Sequence, residues 1–201
     1  MRWVILILAA MLLVSCSDDP KKPKPEPEPV LQMQAGSWGE AISHFATAWE
    51  TKNFELYDSL LTEDYIFYFS PEDIENQDIP PTWNLTQELG AVEALFADAD
   101  VEDVELNWVP GDMVNPETEG LDGKVLVTNI FLVVDVRDSQ GELWNNEIRG
   151  NVEFELKKMS YTTAFGDTVW KVARWKDLTT IRTKSEWSRT KTTTWGQLKI
   201  R

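Results

Sequence analysis

One histidine, His44, is the only side chain of its type here, and so the first candidate for a general base working near neutral pH. On a helical wheel it falls at the boundary of an apolar face, where partial exposure explains a histidine as well as catalysis does. Tyr65, Phe67 and Phe69 alternate along one face of a strand pattern, with Ile66 and Tyr68 on the other. Such a ring-lined surface either receives a flat or apolar ligand or fills a core. Asp98, Asp100 and Glu102 have the opening spacing of a calcium loop. No glycine follows, however, and Val109 stands where the closing glutamate belongs, so a solvated turn is expected there rather than a metal site. With one cysteine and one histidine the chain has no protein-only zinc set and no disulfide, and no cofactor is expected.

The elements that must position these residues are legible in the periodicity. Ser37 to Thr51 reads as a helix capped by Ser37, with Glu40 at the capping-box position and Trp38, Ala41, Ile42, Phe45, Ala48 and Trp49 on one face. A second short helix is expected over Phe54 to Leu61, then a strand over Tyr65 to Phe69. Ser70 to Pro81 reads as an acidic loop. Asn84 to Ala97 reads as a helix with Gln87 at the box position and Leu85, Leu89, Val92 and Phe96 as its apolar stripe. From there the pattern has period two, with strands expected over Val104–Val109, Lys124–Arg137, Glu142–Met159 and Thr168–Asp177. Along the third of these, Glu147, Arg149, Asn151, Glu153, Glu155 and Lys157 alternate with Ile148, Val152, Phe154 and Leu156, so one face is polar. Trp170 and Trp175 differ in parity and share a face only across a bulge. Helices first and a strand meander after define an α+β fold, with N-terminal helices packed on a curved antiparallel sheet.

The chain carries 19 Lys and Arg against 34 Asp and Glu, a formal charge of −15, so no nucleic-acid partner is expected. Its N-terminus is organised differently from the rest. Met1-Arg2 is followed by an uninterrupted apolar run from Trp3 to Val14, short of the roughly 20 residues a membrane span needs. Leu13-Val14-Ser15-Cys16 closes the run and resembles the lipobox of bacterial lipoproteins. The resemblance implies a signal peptide over residues 1–15, cleavage before Cys16, and acylation of Cys16 as the link to a lipid bilayer. Ser17 after the cysteine is similar to the outer-membrane sorting class, which implies a place in the bacterial cell envelope. Residues 16–29 form a proline-rich, charged linker that reaches ~40 Å if extended.

His44 to Pro71 resembles the opening of the nuclear-transport-factor-like superfamily, the cystatin-like cone fold of ketosteroid isomerase and the SnoaL-type cyclases. Trp170 to Asp177 is similar to that superfamily's final strand, and Thr194 to Lys199 to the ending of bacterial lipoproteins of this kind. The resemblance implies a cone domain over residues 30–178. Laid on the isomerase pattern, the position of the oxyanion-stabilising tyrosine falls on Phe45 and that of the general-base aspartate on Phe69. A phenyl ring can do neither task. The same resemblance turns Phe69, and with it Phe67 and Tyr65, toward the cone interior, where Phe45, Trp49 and Trp83 would join them in an aromatic pocket or a filled core. Because some cones carry polar residues inside, Arg149 with Glu153 is a further candidate pair.

Residues 179–201 form a basic extension (Arg182, Lys184, Arg189, Lys191, Lys199 and Arg201 against Glu186) that includes Trp187 and Trp195. It is expected either to fold back on the acidic domain with its tryptophans as plugs, or to reach out to anionic partners. Three functions stay open on these residues. The first is a tethered, non-catalytic cone domain binding a small apolar ligand or a protein partner. The second is a small isomerase, cyclase or dehydratase using the pocket, and the third a structural protein that forms a homodimer through its sheet.

Overall fold

The computed structural model describes residues 34–77, 79–179 and 190–200. The signal peptide, Cys16, the linker and Trp187 lie outside the described residues. Helix α1 (Trp38–Glu50) starts where Ser37 Oγ accepts from the Glu40 amide. The Glu40 carboxylate reaches back past the cap to the Gly36 amide at 2.7 Å, so only half of the expected capping box forms. The helix buries Ala41, Ile42, Phe45, Ala48 and Trp49. Lys52 then takes a left-handed conformation (φ 50°) and its ammonium is held by the Val101 carbonyl at 2.6 Å. That turn delivers Asn53 as the cap of α2 (Phe54–Ser59).

The next strand, β1 (Leu61–Tyr68), starts four residues before the expected Tyr65. The cause is a long-range pairing that local pattern does not encode. β1 runs parallel to β6 (Thr168–Asp177), with Leu61 opposite Val172 and Phe67 opposite Trp175, and an irregularity between them leaves Glu63 and Asp64 exposed. The expected acidic loop is instead a short helix, α3 (Pro71–Gln77). Proline at its first position and Glu72 and Asp73 in its first turn suit a helix start. After β2 (Thr82–Asn84), helix α4 (Leu85–Ala97) has the complete capping box, Asn84 and Gln87 each accepting the other's amide at 3.1 Å.

β3 (Val101–Val114), β4 (Gly123–Arg137), β5 (Leu143–Thr162) and β6 form an antiparallel meander. A last strand, β7 (Thr190–Thr192), leads into helix α5 (Trp195–Lys199). The sheet order is β2-β1-β6-β5-β4-β3, and β7 runs parallel to β5 at Asn145–Glu147. The sheet is therefore curved and mostly antiparallel, with two parallel pairs. Two devices bend it. β4 bulges between Val127 and Ile130, where Asn129 is left-handed, and opposite it Gly150 (φ 142°) lets Thr179 pass within what would be 2.9 Å of a Cβ. In β6, Arg174 pairs with Glu155 and Val172 with Leu156, so Ala173 is the extra residue. This bulge reconciles the parities of Trp170 and Trp175, and both are buried.

Candidate functional site

The helices close one side of the curved sheet, and aromatic rings fill the space between. Phe45 from α1 packs against Tyr57 of α2 (5.2 Å between centroids), Phe154 of β5 (5.0 Å) and Trp175 of β6 (5.0 Å). Phe67 joins Trp175 edge-on at 5.1 Å and Phe69 at 4.9 Å, and Phe69 meets Trp83 at 4.9 Å. Five of the expected pocket residues, Phe45, Trp49, Tyr65, Phe67 and Phe69, are thus buried, and three of them, Phe45, Phe67 and Phe69, stand in these ring contacts; Trp83 is half-buried against Phe69. Edge-to-face pairs of this kind contribute about 0.5–1.5 kcal/mol each beyond their burial.

The centre of the cone is occupied by the chain's own C-terminus. Trp195, fully buried, inserts edge-on between Trp49 (4.7 Å) and Trp175 (4.9 Å). The segment is fastened by carboxylates from two different elements. Asp73 of α3, buried, accepts from Thr194 Oγ1 (2.8 Å) and Gln197 Nε2 (2.9 Å). Asp177 at the end of β6 accepts from the Gly196 amide at 3.3 Å and from the amide and hydroxyl of Thr179. Gly196 fits because it has no side chain. A Cβ there would come within 2.5 Å of both the Phe69 ring and Asp73 Oδ2. Gly196→Ala is expected to cost about 1–3 kcal/mol in denaturant unfolding, as overpacking does elsewhere.

The deepest polar contact is an ion pair. Lys199 Nζ lies 2.7 Å from Glu88 Oε1 of α4, with both side chains fully buried. The ammonium also stands 3.6 Å from the ring centroids of Phe67 and of Trp175. Tyr57 donates its hydroxyl hydrogen bond to the same Glu88 oxygen. Burial, with the Glu88 charge behind it, drives the Tyr57 hydroxyl well above its usual range, and the same two causes act on Tyr65. Burial pulls the Lys199 ammonium down to about 8 against the attraction of Glu88. Among the described residues, Glu88 Oε2 and the indole nitrogens of Trp49, Trp175 and Trp195 are buried without a hydrogen-bond partner.

The polar candidates from the sequence stand elsewhere. His44 is half-buried on the flank of α1 with its Nδ1 unpaired. Arg149 pairs with Glu147 (3.0 Å) and lies over the Phe131 ring, while Glu153 binds Lys176 (2.7 Å) and Lys124 (3.7 Å). Arg149 and Glu153 therefore belong to separate ion pairs on the outward parity of β5, opposite the buried Ile148, Val152, Phe154 and Leu156. Tyr57, Glu88, Asp73, Asp177 and Lys199 were not expected. For Glu88 a signal existed: with Val92 and Phe96 it forms an i, i+4, i+8 row, so the buried stripe of α4 is Glu88, Val92, Leu95 and Phe96, with Leu85 and Leu89 only half-buried.

No family model and no curated protein matches the chain. Solved structures do. A scytalone dehydratase candidate from Novosphingobium aromaticivorans superposes with a TM-score of 0.53 at 10% identity, over 77% of this chain and 89% of that one. An NTF2-like protein of unknown function in nutrient uptake from Rhodospirillum rubrum has a TM-score of 0.43 at 14% identity, over 72% and 99%. A candidate SnoaL-like polyketide cyclase from Shewanella putrefaciens has 0.43 at 13%, over 70% and 78%. At these identities the likeness concerns the fold. The domain is an α+β cone of the nuclear-transport-factor-like, cystatin-like kind.

Proposed function

We propose that this chain is a lipid-anchored cell-envelope protein whose cone domain is a non-catalytic binding module for a small, largely apolar ligand or a partner protein. One observation speaks against catalysis: the interior that would hold a substrate holds Trp195 and Lys199, so a ligand or partner would meet the cone at its surface or in place of that segment. Among the described residues, the buried carboxylates facing that segment are bound to it or to its neighbours. Glu88 is held by Lys199 and Tyr57, Asp73 by Thr194 and Gln197, Asp177 by Thr179 and Gly196. A carboxylate so engaged is poorly placed to take a proton from a substrate. Phe45 and Phe69, at the positions where the isomerase pattern has its catalytic groups, supply rings only.

The first half rests on the lipobox-like Leu13–Cys16, and the geometry of the domain suits a tether. The described chain begins at Gln34 beside the β5–β6 hairpin: the Ala35 carbonyl accepts from the Trp170 amide at 2.9 Å and Gly36 packs on Asp167. Phe165, at the tip of that hairpin, is 94% exposed. Cys16→Ala is expected to move the protein from the detergent phase to the aqueous phase on temperature-induced phase separation. Unchanged partitioning would defeat the anchor. Native mass spectrometry of the detergent-released wild type is expected to show a retained small molecule or partner chain, and a bare chain throughout would count against the binding module.

A further inference from the structure

The geometry points to an ammonium-binding site inside the cone, built from Glu88, Phe67, Trp175 and Tyr57, in which Lys199 is an internal occupant standing in for a ligand that carries an alkylammonium group. This deepens the binding-module reading and rests on it.

The argument starts from what surrounds the Lys199 nitrogen. A carboxylate lies at 2.7 Å, and two aromatic faces lie at 3.6 Å. Rings around a cation with an acid on the open side are the general solution for holding an ammonium out of water, because ring quadrupoles and a desolvated carboxylate both act on positive charge. Lys199 approaches from a segment whose Trp195 is seated between Trp49 and Trp175, so its stem enters through an aromatic surround. Nothing in a merely stable core calls for this. A buried ion pair is seldom better than well-packed apolar residues of the same volume.

The fit of Lys199 is also incomplete. Its ammonium has three donors and hydrogen-bonds Glu88 Oε1, while Glu88 Oε2 is buried without a partner among the described residues. A buried acceptor left without a donor is unfavourable in the docked state. A ligand with a second donor beside its ammonium satisfies what Lys199 leaves open. The docking segment is three residues of β7 and five of α5, held by Asp73, Asp177 and Glu88. When it withdraws, the cage it vacates selects for cations on an apolar stem.

Full-length Lys199→Ala, titrated with n-butylammonium chloride, tests this against n-butanol and against sodium chloride at equal ionic strength. The truncated side chain leaves room for the probe. At ten times its Kd, n-butylammonium is expected to raise Tm by about 4 °C, with n-butanol giving less than a third of that. Adding Glu88→Gln is expected to abolish the difference. Should Lys199→Ala not fold unaided, recovery of its near-ultraviolet circular dichroism by n-butylammonium reads the same event. Equal effects of amine and alcohol, or a difference that survives Glu88→Gln, overturn the ammonium site while leaving a binding module for apolar ligands standing. No effect of either probe, on melting or on refolding, overturns both.

Discussion

Lys199→Met is expected to destabilise the domain by about 3–5 kcal/mol, measured as the shift in denaturant midpoint at constant slope. Methionine keeps most of the volume of the side chain as an apolar, flexible stem, though it ends one atom short of the position of Nζ. What changes is that Glu88 becomes a charge in a water-free interior with only the Tyr57 hydroxyl beside it. The cost is the price of a lone buried charge, not the worth of the pair. The double variant Glu88→Gln/Lys199→Met separates the two. It removes both charges and leaves Tyr57 a neutral acceptor, and it is expected to fall within about 1 kcal/mol of wild type or above it. A double variant as unstable as Lys199→Met would mean that the loss comes from packing.

How much of this was legible in the sequence follows from how local each cause is. The caps at Ser37 and Asn84 act within three residues, and α1 and α4 lie where the periodicity predicts them. Strand β6 coincides with its expected bounds because Trp170 to Asp177 is apolar enough to mark a buried strand on its own. The parallel pairing of β1 with β6 is invisible locally, since it joins Leu61 to Val172. For the same reason α3 read as a loop. Four acidic residues between prolines look solvated, and Asp73 becomes a buried acceptor only because Thr194, 121 residues later, supplies its hydrogen bond. Yet Ser70-Pro71-Glu72-Asp73 is a respectable helix start, and weighing proline as a first-turn residue rather than a breaker would have found it. The aromatic interior was legible because alternation on β1 and the stripe on α1 point to one place. The ion pair was not. Glu88 and Lys199 stand 111 residues apart, and each alone reads as a surface charge. The two readings of the basic extension divide on the same ground: Trp195 is a plug, as one of them held.

Asp177 is expected to make the domain more stable as pH falls from about 7 to 4, the reverse of ordinary acid denaturation. Burial raises its carboxyl from 3.8 to about 6, and the nearby Asp73 charge adds to the rise while the Thr179 and Gly196 donors oppose it. The folded state therefore binds a proton at higher pH than the unfolded chain does. Between about 4 and 6 the folded state holds more protons, so stability increases as pH drops through that window, by about 3 kcal/mol for a shift of about two pH units. The gain is complete below the unfolded value and absent above the folded one. Asp64, whose carboxyl is held low by Thr62 and then by Lys157, contributes with the opposite sign at lower pH, when it too must be protonated. Asp177→Asn isolates the effect. The asparagine oxygen can still accept from Thr179 but cannot titrate, so the variant should lose the descending slope between pH 4 and 6, gaining on wild type by about 3 kcal/mol from pH 4 to pH 7. A slope that persists in Asp177→Asn would assign it to the repulsion of a chain carrying −15. Because Asp177 also accepts from Gly196, protonation acts on the segment that carries Lys199, which ties the stability of the domain to the seating of its C-terminus.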